Sequence, residues 1–203
     1  MSNNREDYPD LTDAQYANFR SIATSGPRKT SLCRIPHFGK PCKTRFLYEA
    51  MLAKTGFFEV ATSGMGARVL YRSSSPVNPK YNRNREADAA VNSAGIFTVI
   101  NLADNEGEMK GYEDFAQTYY SGLDVIPLDL VVDFSADSFR EGLAKGFRFM
   151  ISHDAPYLIH CTMGKDRAGF TSAVLECLMG ASAEEVVADE IAALRAKLGT
   201  DLN

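Results

Sequence analysis

The stretch His160-Cys161-Thr162-Met163-Gly164-Lys165-Asp166-Arg167 sets a thiol and a guanidinium on either side of a five-residue loop. That spacing suits a cysteine attacking a phosphate. The loop can curl into a cradle whose backbone N–H groups, from Thr162 to Arg167, converge on three phosphoryl oxygens. Cys161 then sits at the floor and attacks, as the thiolate, the phosphorus above it. The planar fork of Arg167 holds two oxygens and offsets the charge of the transferring group. Five polar or glycine positions (Gly164, Lys165, Asp166, Arg167, Gly169) directly after Cys161 set it apart from an ordinary cysteine in an apolar strand, which is a small buried hydrophobe.

Such a loop needs a strand behind it and a helix in front. Pro156-Tyr157-Leu158-Ile159-His160 is short and apolar and reads as a buried parallel strand. From Ala168 to Met179 apolar residues recur at helical spacing (Phe170, Ala173, Val174, Cys177, Leu178), and Gly180 stops the run. The positive end of that helix favours both a thiolate and a bound phosphate. Cys177 falls on the apolar side and is expected in the core. His160 is expected to hold the loop by hydrogen bonds and to tune the thiolate, not to transfer a proton.

At these residues the chain resembles the cysteine-based protein tyrosine phosphatases. It is most similar to the bacterial branch whose loop reads His-Cys-x-x-Gly-Lys-Asp-Arg-x-Gly. Two upstream stretches extend the likeness, Leu70-Tyr71-Arg72-Ser73-Ser74-Ser75-Pro76 and Thr98-Val99-Ile100-Asn101-Leu102-Ala103-Asp104, so that it covers roughly residues 60–195. The resemblance implies a dual-specificity-type cysteine phosphatase fold that needs neither cofactor nor metal. It implies as substrate a phosphorylated protein, phosphotyrosine first, or a phosphoinositide or inositol phosphate. Lys165 adds a second cation suited to extra phosphate groups, or simply faces water. Arg72 has a counterpart in the family and either braces the loop or ends its strand. One position departs: Ala168 stands where many relatives carry Ser or Thr, so the hydroxyl that helps the sulfur leave is missing.

The reaction also needs an acid that protonates the leaving oxygen and then activates water. Asp166 lies inside the loop, and the loop aspartate has been proposed for this role in the branch. Asp129 and Asp133 lie in Ile126-Pro127-Leu128-Asp129-Leu130-Val131-Val132-Asp133-Phe134, at a distance before Cys161 like that of the acid loop in dual-specificity relatives. The order of preference is Asp166, Asp129, Asp133. Other readings of these carboxylates are a loop brace for Asp166 and a helix-start residue for Asp133.

Composition narrows the rest. A length of 203 residues suits one domain with or without an extension, and 12 Phe with 9 Tyr supply a core. A net charge of −4 gives no general attraction to nucleic acid. No apolar run reaches membrane-spanning length, and the N-terminus lacks the apolar stretch of a signal peptide, so the chain reads as cytoplasmic, without stable membrane insertion. The four cysteines make no metal pattern. Cys33 and Cys42 are expected as free thiols, and His37 between them leaves a zinc site short of a ligand.

Along the chain, strands and helices alternate. Helices are expected from Leu11 to Ile22, Phe46 to Lys54, Arg83 to Ala94, Tyr112 to Tyr120 and Asp137 to Met150. A last one is opened by the Ser182/Glu185 capping box, with Val186, Val187, Ile191, Leu194 and Leu198 on its apolar side. Strands are expected at Ala67–Arg72, Phe97–Leu102 and Asp124–Leu128. This order implies α/β architecture, a mostly parallel sheet flanked by helices with the site at the carboxyl end of a strand. Residues 1–58 read as an N-terminal extension packing on a catalytic domain, 59–203. The basic residues of 27–58 either guide an anionic substrate or face water. Outside the phosphatase reading stand an inactive phosphate-binding module and a rhodanese-like sulfur transferase; the Cys-to-Arg spacing with Gly164 and Gly169 argues against the second.

Overall fold

The computed structural model describes residues 55–60 and 62–198, with side chains to Ile191. The expected extension, the helices at Leu11 and Phe46, and Cys33, His37 and Cys42 lie outside the described residues.

Five strands form one sheet: β1 (Phe58–Val60), β2 (Leu70–Ser74), β3 (Thr98–Asn101), β4 (Asp124–Pro127) and β5 (Tyr157–Cys161). Their order is β1-β2-β5-β3-β4, so the strand carrying Cys161 lies in the middle. Only β1 runs antiparallel; the other pairings are parallel, as the alternation of elements predicts. The central strands are buried on both faces, β5 through an apolar run and β2 with Arg72, Ser73 and Ser74 carried into the interior. Odd and even positions serve opposite faces. Tyr71, Val99 and Leu158 pack with Ala90 and Val91 of α1 (Asn84–Ala94). Leu70, Ile100, Ile159 and Cys161 pack on the other face with Phe139 and Leu143 of α3 (Asp137–Ile151) and Ala168 of α4 (Asp166–Leu178). Leu158 and Ile159 are fully buried, and cutting either to alanine costs about 2–5 kcal/mol.

Within the described residues the expected elements recur with ends moved by one to three residues, except one. Tyr112–Tyr120 is not a helix. A short α2 (Glu106–Lys110) comes earlier, opened by a capping box between Asn105 and Glu108 and stopped at Gly111. Two single 3₁₀ turns follow, Phe115–Gln117 and Tyr119–Gly122. The turns are held by side chains: Asp88 of α1 accepts from Tyr119 N and Tyr120 N, and the Tyr112 hydroxyl donates to Asp104 at 2.6 Å. The last helix, α5 (Ala183–Leu198), starts at the expected capping box, with Glu185 N donating to Ser182 Oγ at 3.2 Å and Ser182 N to Glu185 Oε2 at 2.8 Å.

The register of α4 overturns one expectation. Cys177 is exposed, and so are Leu178 and Phe170. The buried side of α4 is Ala168, Gly169, Thr171, Ser172 and Glu176. A polar stripe faces inward because β2 and α5 present charges there, Arg72 and Asp189, both almost wholly buried. Val187 and Ile191, expected on the apolar side of α5, are exposed for the same reason.

Candidate active site

Cys161 closes β5, is buried, and pairs in register with Ser74 of β2. Beyond the pair, Ser75 N donates to Thr162 O at 3.3 Å, so β2 continues along the wall of the loop. Gly164 lies in the left-handed region, φ +70°, and a Cβ there would stand 2.3 Å from the Ser73 carbonyl carbon and 2.5 Å from Ser74 N. Only glycine lets the loop press this closely on β2. The helix starts at Asp166, so its first N–H groups have no carbonyl of their own helix and face the loop.

Arg167 lies in the first turn of α4. Its Nη1 donates to Leu130 O at 2.6 Å and to Leu102 O at 3.1 Å, and its Nη2 to Thr162 Oγ1 at 3.2 Å. Three bonds fix a side chain that otherwise has many rotamers, and they leave part of the fork for an anion. Leu102 N in turn donates to His160 O at 2.9 Å, so the end of β3, the cysteine strand and the arginine form one framework.

The His160 ring lies on the opposite face of the sheet from Cys161, as its position in the strand requires. It is fully buried, and its Nε2 shares a 2.7 Å hydrogen bond with the Tyr120 hydroxyl. Burial pushes its pKa down to about 4, against the raising effect of Asp104 and the Cys161 backbone. The imidazole is therefore neutral near pH 7 and acts as a structural link. Asp104 closes this network, accepting from Asn101 Nδ2 at 3.0 Å as well as from Tyr112.

The three acidic candidates separate by their contacts. Asp166, the first residue of α4, is about half exposed, with Lys165 Nζ at 3.9 Å, beyond hydrogen-bond distance. Asp129 is exposed on a loop strapped along the end of β3 by Leu128 N to Asn101 O, Asp129 N to Asp104 O and Leu130 N to Leu102 O. Its φ of +44° is rare for a residue with a side chain. Asp133 is engaged locally: its Oδ1 accepts from the Ser135 hydroxyl at 2.7 Å and from Ser135 N at 3.1 Å, and these bonds hold its carboxyl below the usual range.

Behind α4 lies a charged cluster that the sequence did not disclose as a unit. Arg72 pairs through both Nη atoms with Glu190 of α5, Nη2 to Oε2 at 3.4 Å, and Asp189 lies 3.8 Å from its Nη1. Its guanidinium also lies 4.8 Å from the Phe58 ring centroid. The cluster sits under the first turn of α4: a Cβ on Gly169 would stand 3.0 Å from Glu190 Oε2 and 3.2 Å from Arg72 Nη2. Glu176, fully buried beside it, has its carboxyl raised to about 8 by burial and then by Asp189 and Glu190; Asp189 is raised to about 6, chiefly by burial. The i, i+4 spacing of Ser172 and Glu176, with Thr171 beside them, was the available signal, a polar stripe on a helix taken as apolar.

Strand, loop and helix here have the form on which cysteine-based phosphatases work. The sequence agrees: residues 61–193 match the model of the tyrosine phosphatase family, and the chain belongs to that family. Among curated proteins none matches the chain in sequence. Solved structures similar to it include the core catalytic domain of the PP-IP phosphatase SIW14 from S. cerevisiae, in complex with citrate, at 18% identity over 72% of this chain and 79% of that one, TM-score 0.47. They include TpbA from P. aeruginosa, at 17% identity over 72% and 86%, TM-score 0.44. A complex of TpbA with pTyr is similar at 15% identity over 68% and 73%, TM-score 0.46. Among the described residues no helix is long and apolar enough to cross a membrane.

Proposed function

We propose that the protein hydrolyses phosphomonoesters through a phosphocysteine on Cys161, with phosphotyrosine its favoured substrate. The observation that carries this is the seating of Arg167. It is fixed by Leu102, Leu130 and Thr162 on the first turn of the helix that faces Cys161. In the first step a Cys161 electron pair forms the S–P bond while the P–O bond to the leaving group breaks. Asp166 gives its proton to the departing oxygen. In the second step water attacks phosphorus, the S–P bond breaks with its electrons returning to sulfur, and Asp166 takes the water's proton. Arg167 and the loop N–H groups hold the phosphoryl oxygens in both steps. Asp166 is preferred as acid because it is an exposed loop residue next to Arg167 without a hydrogen-bonded partner, whereas Asp133 is held by Ser135. Asp129 is the second candidate.

A phosphoinositide or inositol phosphate is the second substrate reading, and Lys165 favours it: half exposed at the rim, it offers a cation to a further phosphate. The test is hydrolysis of an aryl phosphate in EDTA and reductant by the wild-type chain and by Cys161→Ser. Activity that disappears in the variant supports the mechanism. A folded wild type that binds phosphate and turns nothing over overturns it in favour of a binding module.

A further inference from the structure

Breakdown of a phosphocysteine expels a thiolate, and a hydrogen-bond donor on that sulfur speeds its departure by stabilising the charge it gains. Ala168, fully buried in the cluster that holds Cys161, offers no such donor. Ser74 stands on the same side. On β2 and β5, Leu70, Ile159 and Cys161 share one apolar cluster while Tyr71 and Leu158 belong to the other. Ser74 thus faces the way Leu70 does. Arg72, two residues before it, reaches Gly169 of α4 on that face. Ser74 and Cys161 are register partners on adjacent parallel strands, which stand about 4.8 Å apart.

The three consecutive serines differ. Ser73 Oγ donates to Ser74 O at 2.7 Å, and Ser75 Oγ accepts from Val77 N and Asn78 N at 3.3 and 3.0 Å. Ser74 is 1% exposed, and its Oγ has no hydrogen-bond partner. A buried hydroxyl without a partner is costly and calls for an explanation. Its register partner on that face is Cys161, whose sulfur accepts a hydrogen bond best when it carries charge.

Resting on the phosphatase reading above, we infer that Ser74 is a further catalytic residue, whose hydroxyl donates to the Cys161 sulfur whenever that sulfur carries charge. It does so in the free thiolate and again as the S–P bond breaks. Its proton stays on oxygen throughout; the electron pair goes to sulfur, and water supplies the new P–O bond.

Ser74→Ala and Ser74→Gly, each alone and with Ala168→Ser, are compared with the wild type. Alkylation of Cys161 by iodoacetamide, followed by mass spectrometry of its peptide, reads the thiolate without any turnover. Both single variants are expected to alkylate about fivefold more slowly at pH 6 and at the wild-type rate at pH 10. With an aryl phosphate they release one equivalent of phenolate in a burst, then turn over about tenfold more slowly than the wild type. Ala168→Ser, which returns a hydroxyl to the same face, restores both readouts. A Ser74 variant that melts with the wild type and alkylates at the wild-type rate at both pH values overturns the inference. A wild type without cysteine-dependent turnover overturns the phosphatase reading instead, and the alkylation profile still decides the role of Ser74.

Discussion

Arg167 Nη1 donates to the carbonyl oxygen of Leu130 at 2.6 Å, tying the arginine of the loop to the segment that carries Asp129. The bond joins residues 37 positions apart, and it makes the orientation of the guanidinium depend on the path of residues 128–131 at the end of β3.

Arg167→Lys keeps a charge but loses the fork and its fixed bonds to the two carbonyls. We expect kcat/KM for an aryl phosphate to fall about 10²–10³-fold, the usual effect of removing a placed oxyanion donor. Inhibition by inorganic phosphate, measured alongside, should weaken. An unchanged inhibition constant would show that Arg167 does not hold the anion.

Gly164→Ala puts a Cβ 2.3 Å from the Ser73 carbonyl carbon at a φ of +70°. The loop must back away from β2. The strain alone is about 1–3 kcal/mol, so thermal melting should begin several degrees lower, and kcat/KM should drop about 100-fold or more as the cradle donors move. A variant with wild-type kinetics would mean that the loop does not need this contact.

Asp166→Asn should lower kcat by about 10²–10⁴-fold for a phosphate ester with a poor leaving group and much less for a nitrophenyl ester, which needs no proton. Asp129→Asn should do little to either. If the leaving-group dependence instead appears in the Asp129 variant, the acid is Asp129, and its left-handed backbone becomes part of the mechanism.

The pH dependence of stability follows from buried groups. Glu176 has its pKa raised to about 8 and Asp189 to about 6. For a raised acid the folded state holds the extra proton, so the contribution is full below the unfolded value and is lost as pH rises through the folded one. His160 is lowered to about 4; its contribution is full above the unfolded histidine range of about 6.5 and is lost as pH falls toward 4. The slopes oppose each other on the acid side. From pH 6.5 to 8 only Glu176 remains, and the melting temperature should fall. Glu176→Gln, which cannot ionise, should flatten that fall in a thermal scan from pH 6.5 to 8.5; a parallel fall in both proteins would place the cause elsewhere.

The local order of elements was legible in the sequence wherever the chain's own pattern fixes it. The apolar run of β5, the glycine at 164, the Cys-to-Arg spacing and the capping box at Ser182 depend on neighbours a few residues away, and each stands where it was expected. Tyr112–Tyr120 was misread because its aromatic residues are spaced for a helix, yet Asp88 and Asp104, distant in sequence, fix their backbone and hydroxyls in 3₁₀ turns. The face of α4 was misread for a related reason. Periodicity assumes that the buried side is apolar, and here Arg72, Asp189 and Glu190, from a strand and a helix on either side of α4 in sequence, make the buried side polar.

The sequence by itself determined the family, the parallel α/β architecture and the candidate nucleophile with its arginine, because each is carried by residue types at short fixed spacing. Tertiary structure alone decided that Leu130 and Leu102 aim the arginine, that Tyr120 takes the histidine, that Glu176 lies beside two other carboxylates, and that the unbonded Ser74 hydroxyl pairs with Cys161 in the sheet. These relations depend on strand order and register, which bring together residues that are far apart along the chain.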